Sequence, residues 1–157
     1  MDEVSLTLPG AGEVIELGPA RIRILQDGSG TGHRLGVVEI TLAPYSLGPP
    51  QHRHALHDEG FYVVRGTARF TVGPTGYDAP PGTMVTVPPG APHTFANPGG
   101  EPLVMINTFT PDLYVQYFRD LREGREAVAE VMSRYATSPA PEFDRPAPGP
   151  ISPRSPA

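Results

Sequence analysis

The stretch His52-Arg53-His54-Ala55-Leu56-His57-Asp58-Glu59-Gly60-Phe61-Tyr62-Val63-Val64-Arg65-Gly66 decides the reading of this chain. Two histidines stand two positions apart, a glutamate follows five positions after the second, and a glycine closes the run. In a strand, residues i and i+2 point to one face, about 6–7 Å apart along it. His52 and His54 can therefore converge on one ion, with Glu59 following on the next stretch of the same ribbon. A second stretch, Gly82-Thr83-Met84-Val85-Thr86-Val87-Pro88-Pro89-Gly90-Ala91-Pro92-His93-Thr94-Phe95-Ala96-Asn97, opens a strand with His93 after a stiff bend. Three imidazoles and a carboxylate suit one borderline divalent transition metal: Fe, Mn, Co, Ni, Cu or Zn. Four protein ligands on an octahedral ion leave two positions open for substrate, water or dioxygen.

Working outward, turn signals recur about every 8–12 residues, as in an all-β sandwich or barrel. Arg21-Ile22-Arg23-Ile24-Leu25 alternates polar and apolar, and 35–42, 61–64, 68–72, 84–87, 93–96 and 103–109 also read as strands. The chain of 157 residues holds 21 Pro and 18 Gly, too many helix-breakers before Thr110 for long helices. After Thr110 the pattern changes. Thr110 is placed to cap a helix with Pro111 at its first position. Leu113, Tyr114, Tyr117, Phe118 and Leu121, then Val128, Val131, Met132 and Tyr135, follow helical spacing. The expected organisation is an irregular lead-in over 1–18, a β-barrel over 19–110, two short helices packed outside it over 111–136, and a disordered Pro-rich tail over 137–157.

Net charge is −5, which argues against a nucleic-acid binder. There is no Cys, so disulfides, thiolate metal sites and Cys nucleophiles are excluded. All 12 basic residues are Arg, which excludes Schiff-base and Lys general-base chemistry. No apolar run approaches the roughly 20 residues of a membrane span, and the N-terminus is acidic where a signal peptide is basic. The expectation is a cytoplasmic protein with no nucleic-acid or membrane partner.

The two quoted stretches resemble the paired motifs of the cupin superfamily. The first fits HxHx(3,4)Ex(6)G, and the second fits Gx(5)PxGxxHx(3)N with every position filled. The 15 residues of 67–81 between them resemble the short intermotif class. One departure is Ser46, where a Gly is usual six residues before the first His, with Gly48 nearby. The resemblance implies a cupin jelly-roll β-barrel, or double-stranded β-helix, of the small monocupin type. It implies metal ligation by His52, His54, Glu59 and His93, and a homodimer. The helices, with Phe118 and Tyr135, resemble the tail of quercetinase-like monocupins. In those the matching Glu binds metal and takes a proton from a substrate hydroxyl, which would make Glu59 catalytic; a purely structural ligand is the alternative.

Parity sets the expected substrate pocket. Phe95 and Asn97 face inward if His93 does; Phe61 and Val63 do if Glu59 does; Leu103, Met105, Asn107 and Phe109 are the favoured inward set of the last strand. The cavity is mostly apolar, with Arg53 and Arg65 the cations nearest its mouth, and suits an aromatic or hydrophobic small molecule. His57 lies between ligands and is expected to be a solvated loop histidine; an alternate ligand or a proton shuttle is the other reading. His33 and Asp58 are assigned to the surface, and the Tyr114, Tyr117 and Phe118 stripe to ordinary packing rather than a pocket lid. The functional expectation is a metal-dependent dioxygenase, an oxidoreductase acting on a hydroxylated aromatic or enolisable molecule with dioxygen. A non-oxidative cyclase, isomerase or lyase using the metal as Lewis acid, and a non-catalytic small-molecule binder, are the alternatives.

Overall fold

The structure, a computed structural model, describes residues 4–143. Twelve strands and two α-helices succeed one another among them: β1 (Val14–Leu17), β2 (Ala20–Gln26), β3 (Gly36–Leu42), β4 (Ser46–Leu47), β5 (His52–His54), β6 (Asp58–Arg65), β7 (Ala68–Val72), β8 (Thr75–Ala79), β9 (Met84–Val87), β10 (His93–Asn97), β11 (Leu103–Thr110), α1 (Tyr114–Glu123), α2 (Val128–Arg134) and β12 (Thr137–Pro139). They form two antiparallel sheets. One has the order β1-β2-β3-β11-β6-β9; the other has β12-β5-β10-β7-β8, with β4 pairing β10. This is the mostly-β jelly roll with C-terminal helices that the sequence implies.

The alternation that predicted the strands also builds the core. On β3 every second residue from Gly36 to Leu42 is buried, and on β11 every second residue from Leu103 to Phe109. Their facing sides meet Phe61, Phe70 and Phe95, whose rings pack 5.2 to 6.0 Å apart between the sheets. Such offset and edge-to-face packing adds to what area burial alone contributes. Gly48 solves the departure at Ser46. A Cβ at Gly48 would lie 2.6 Å from the Phe95 carbonyl oxygen, so the close backbone approach that demands glycine falls at 48. Ser46 instead pairs with Asn97.

Three expectations change. The first helix starts at Tyr114 and not at Pro111, because Thr110 still pairs with Asp58 in the β6–β11 ladder and Asp112 is turned onto His33 Nδ1 at 3.0 Å. The helices do more than coat the barrel. Arg119 ties α1 to Glu13 at 2.9 Å and Asp27 at 3.2 Å, and Tyr135 donates to Asp120 at 2.6 Å to join α2 to α1. So held, both helices close over an interior cavity. Finally, the chain does not fall into disorder at 137. Thr137–Pro139 pairs with β5, Ala140 is buried, and Arg53 binds Glu142. The sheet edge at β5 would otherwise leave backbone groups unpaired. The remainder of the expected tail, 144–157, lies outside the described residues.

Candidate metal centre

The four expected ligands meet, but from opposite sheets. His52 and His54 come from β5 and His93 from β10, whose pairing sets His93 opposite His52. Glu59 comes from β6 in the other sheet, because 55–57 carry the chain across the sandwich rather than along one ribbon. His52 Nε2 lies 3.1 Å from His54 Nε2. Glu59 Oε2 lies 3.1 Å from His54 Nε2 and 2.9 Å from His93 Nε2. All four side chains are buried.

The donor set fits a divalent ion. The spacings of 2.9 to 3.1 Å are short enough for neighbouring donors to share one ion. Each ring is also oriented through its other nitrogen: His52 Nδ1 to Pro50 O at 2.8 Å, His93 Nδ1 to Ala91 O at 3.1 Å, and His54 Nδ1 to Thr137 Oγ1 at 3.1 Å. Such outer contacts set ring orientation and ligand basicity at metal sites.

Electrostatics prepare His52 and Glu59 for ligation at neutral pH. Burial, reinforced by His93 and His54, pushes His52 down to about 3, so it is neutral. Burial alone would raise Glu59, but hydrogen bonds with His54 and His93 outweigh it and hold the carboxyl well below its usual range. Burial would lower His93, yet its bond to Glu59 raises it. The Glu59 carboxylate and the neutral His52 are already in the forms an ion needs, whereas His93, raised by Glu59, gives up a proton on ligation. Asn107 Nδ2 donates to Glu59 Oε1 at 3.1 Å and to Gly60 O at 3.0 Å, which leaves Oε2 facing the imidazoles.

His52, Glu59 and His93 form the floor of a cavity of about 550 Å³. Phe61, Phe95 and Asn107 of the expected pocket line it, as do Tyr114, Tyr117, Phe118 and Leu121 of α1 and Val128 and Met132 of α2. The aromatic stripe assigned to ordinary packing is therefore cavity wall, with Tyr114 and Tyr117 stacked 4.2 Å apart. Val63 and Met105 face inward but lie in the closed core, outside the lining. Asn97 also stands apart from the cavity: its Nδ2 donates to Leu42 O, Ala43 O and Glu101 O at 3.2, 3.0 and 2.7 Å. It is a structural tie between turns. No basic side chain lines the cavity among the described residues; Arg53 is engaged by Glu142 and Arg65 lies away.

His57 is not a solvated loop histidine. It is 3% exposed, its ring lies tilted 4.3 Å from that of His54 and 4.9 Å from that of Tyr114, and its Nε2 has no hydrogen-bond partner among the described residues. Its ring nitrogen, with His54 and Glu59, forms a second group of donors close enough to share an ion. Asp58 is exposed as expected, and the His33 side chain is 76% exposed. Thr137 and the cavity-facing role of the α2 residues went unread in the sequence. Thr137 sits in an Ala/Ser/Pro-rich run too short for any period to show, whereas the Tyr114–Leu121 stripe was visible and only its partner was not.

Comparison with known proteins agrees with this geometry. Residues 38–109 match the family model described as Cupin domain. The fold is similar to KdgF from Halomonas sp., at 18% identity and TM-score 0.62 over 69% of this chain and 94% of that one. It is similar to a sugar phosphate isomerase of the cupin superfamily from Silicibacter pomeroyi, at 23% identity and TM-score 0.52 over 59% of each chain. It also resembles Bacillus subtilis oxalate decarboxylase, at 25% identity and TM-score 0.55 over 64% of this chain and 28% of that one. No curated protein matches the sequence, and no helix among the described residues is long and apolar enough to cross a membrane. The segment that matches the cupin model carries both histidine-bearing stretches and all four expected ligands.

Proposed function

We propose that this protein is a metal-dependent dioxygenase acting on a hydroxylated aromatic or otherwise enolisable hydrophobic small molecule. One observation carries the reading: three imidazoles and a carboxylate converge, with His52, His93 and Glu59 reaching an apolar, aromatic-walled cavity that no Arg lines among the described residues. An Arg or Lys to hold a sugar phosphate's charge is missing, and the lining side chains among the described residues are apolar groups, amides, phenols and the expected ligands themselves. Likeness to the sugar phosphate isomerase and to KdgF therefore supports the fold rather than the substrate.

His52, His54, His93 and Glu59 would hold the ion. When bound, it supplies Lewis-acid stabilisation of a substrate oxyanion and redox coupling to dioxygen. The chain's residues do the rest. Glu59, ionised at neutral pH and oriented by Asn107, takes the proton of the substrate hydroxyl. Phe61, Phe95 and Tyr114 clasp the ring, and α1 and α2 keep water out. The assembly we propose is a homodimer, for which the exposed Tyr62, Val64 and Met84 offer apolar surface; sedimentation tests it.

The test is oxygen uptake by the Fe, Ni, Co and Mn forms with flavonols and catechols. Metal-dependent uptake is expected with at least one pairing. Uptake with none, alongside turnover of an enolisable substrate by the Zn form under strict anaerobiosis, would replace this reading with non-oxidative cyclase or lyase chemistry.

A further inference from the structure

We propose that His54, His57 and Glu59 form a second position for a divalent transition metal ion, beside the one that His52, His54, His93 and Glu59 set, and that His57 is the ligand this second position has to itself. The inference rests on the metal-binding reading above and not on the oxidative chemistry.

A ring nitrogen of His57, one of His54 and a carboxylate oxygen of Glu59 all lie within 4.8 Å of one another, the same closeness that gathers His52, His54 and His93. The His57 ring centroid stands 4.3 Å from that of His54. The rings of His52, His54 and His93 stand 4.6 to 5.1 Å from one another, so His57 is as near to one expected ligand as those ligands are to each other. All three side chains of the second group are buried. The His57 ring is held between its neighbours, with Tyr114 at 4.9 Å and Phe109 at 5.7 Å. Its Nε2 is buried with no hydrogen-bond partner among the described residues. A buried ring nitrogen with nothing to bond is destabilising, and an ion shared with His54 and Glu59 supplies a partner.

Two imidazoles and one carboxylate form the donor set of facial-triad Fe(II) sites and accept Co(II) or Zn(II) as well. His54 and Glu59 belong to both positions, and a second dication beside the first would leave buried charge that a single carboxylate does not balance. The two positions are therefore alternatives for one ion. They differ in what they face. His52, His93 and Glu59 line the cavity, whereas His54 and His57 do not. The first position presents the ion to whatever occupies the cavity; two of the three ligands of the second lie behind the lining. Occupancy of the second position thus withholds the ion from a ligand in the cavity, and a ligand that coordinates there favours the first.

The experiment cripples the first position and asks whether the second still binds. His52→Ala/His93→Ala, as metal-stripped full-length protein, keeps two of the four first-position donors and all three of the second. Co(II) affinity is measured by competition with a chromophoric chelator. The double variant should still bind one equivalent, more weakly than wild type, and adding His57→Leu should weaken that residual binding by about tenfold or more. Equal residual affinity with and without His57, or no residual binding by a folded double variant, overturns the proposal. A second readout uses the wild type: nitrogen-15 imidazole spectra during titration with Zn(II). A ring-nitrogen signal of His57 should move along with one of His54, as a ligand's does. His57 signals that keep their metal-free positions overturn the proposal even if the double variant fails to fold. A wild type that takes up no metal sinks the metal-binding reading and this proposal together. A wild type that binds Co(II), with residual binding indifferent to His57, sinks this proposal alone.

Discussion

Replacing His57 by leucine (His57→Leu) should remove a specific part of this protein's acid sensitivity. The ring is 3% exposed, between His54, Tyr114 and Phe109, with Nε2 unpartnered. Burial, followed by repulsion from His54, pushes its pKa from 6.5 down to about 4. Below about pH 6.5 the unfolded chain binds a proton that the folded chain refuses until about pH 4. The unfolded state therefore holds more protons across that window, and stability falls as pH drops through it. A single site with these two values costs the wild type about 2 kcal/mol between pH 7 and pH 5. A leucine side chain cannot titrate. It also removes a buried, unsatisfied nitrogen, whose penalty is about 1–3 kcal/mol, so lost ring contacts at pH 7 are partly offset. His52 has the same sign of shift and His93 the opposite sign, but both are common to the two proteins and largely cancel in the comparison. The assay is urea unfolding with a chelator present, at pH 7 and at pH 5. The stability difference between the His57→Leu variant and wild type should move toward the variant by about 2 kcal/mol on acidification. A difference that stays fixed within about 0.5 kcal/mol would refute the buried, neutral assignment.

His52→Ala and His93→Ala each remove one of four donors and should lower Co(II) affinity by at least about 100-fold, read by chelator competition. Stripping metal from the wild type should lower its unfolding midpoint: an ion at 100 times its dissociation constant contributes about 2.7 kcal/mol, and an unchanged midpoint after chelation would count against the site. Asn97→Asp turns a carboxylate onto the Leu42, Ala43 and Glu101 carbonyls and should destabilise by about 3–5 kcal/mol in denaturant unfolding, with no direct effect on the cavity. Leu121→Trp adds bulk to the cavity wall and should weaken binding of an aromatic ligand by about tenfold or more while metal affinity stays at the wild-type level. Equal losses of both would place Leu121 outside the wall.

Most strand positions and the meeting of the four expected ligands were legible because both depend on local rules. Alternation over 103–109 and 36–42 needs only neighbours two apart, and the His52, His54, Glu59 and His93 spacing sits in motifs with many filled positions. What was illegible depends on what lies opposite. Parity placed Val63 and Met105 inward correctly, but whether an inward residue meets core or cavity is decided by the other sheet. Asn97 likewise faces inward, and its amide is consumed by three carbonyls that no period in its own strand foretells. His57 reads as loop because it lies between Ala55, Leu56 and the exposed Asp58; Tyr114 and Phe109, far along the chain, bury it. Thr137 is the extreme case, since three residues of strand in a Pro-rich run carry too few positions to show a pattern.

The division of labour between the two parts of the chain follows from where the walls come from. The expected ligands, the bend at Pro88–Pro92 and the aromatic side chains of Phe61 and Phe95 all lie within the segment that matches the cupin model. The opposite wall, Tyr114 to Leu121 with Val128 and Met132, lies beyond it, and so does the hydroxyl that turns His54. The two contributions act on different quantities. Substituting cavity-facing residues of α1 or α2 changes the space and polarity a ligand meets without touching a donor, so ligand preference should shift at constant metal content. Substituting Thr137 changes one imidazole's orientation without altering the cavity wall, so metal affinity should shift at constant ligand preference in the loaded protein. The same four donors can therefore serve different substrates, as one fold hosts many chemistries, and here the residues that choose the substrate include many that stand far along the chain from those that bind the ion.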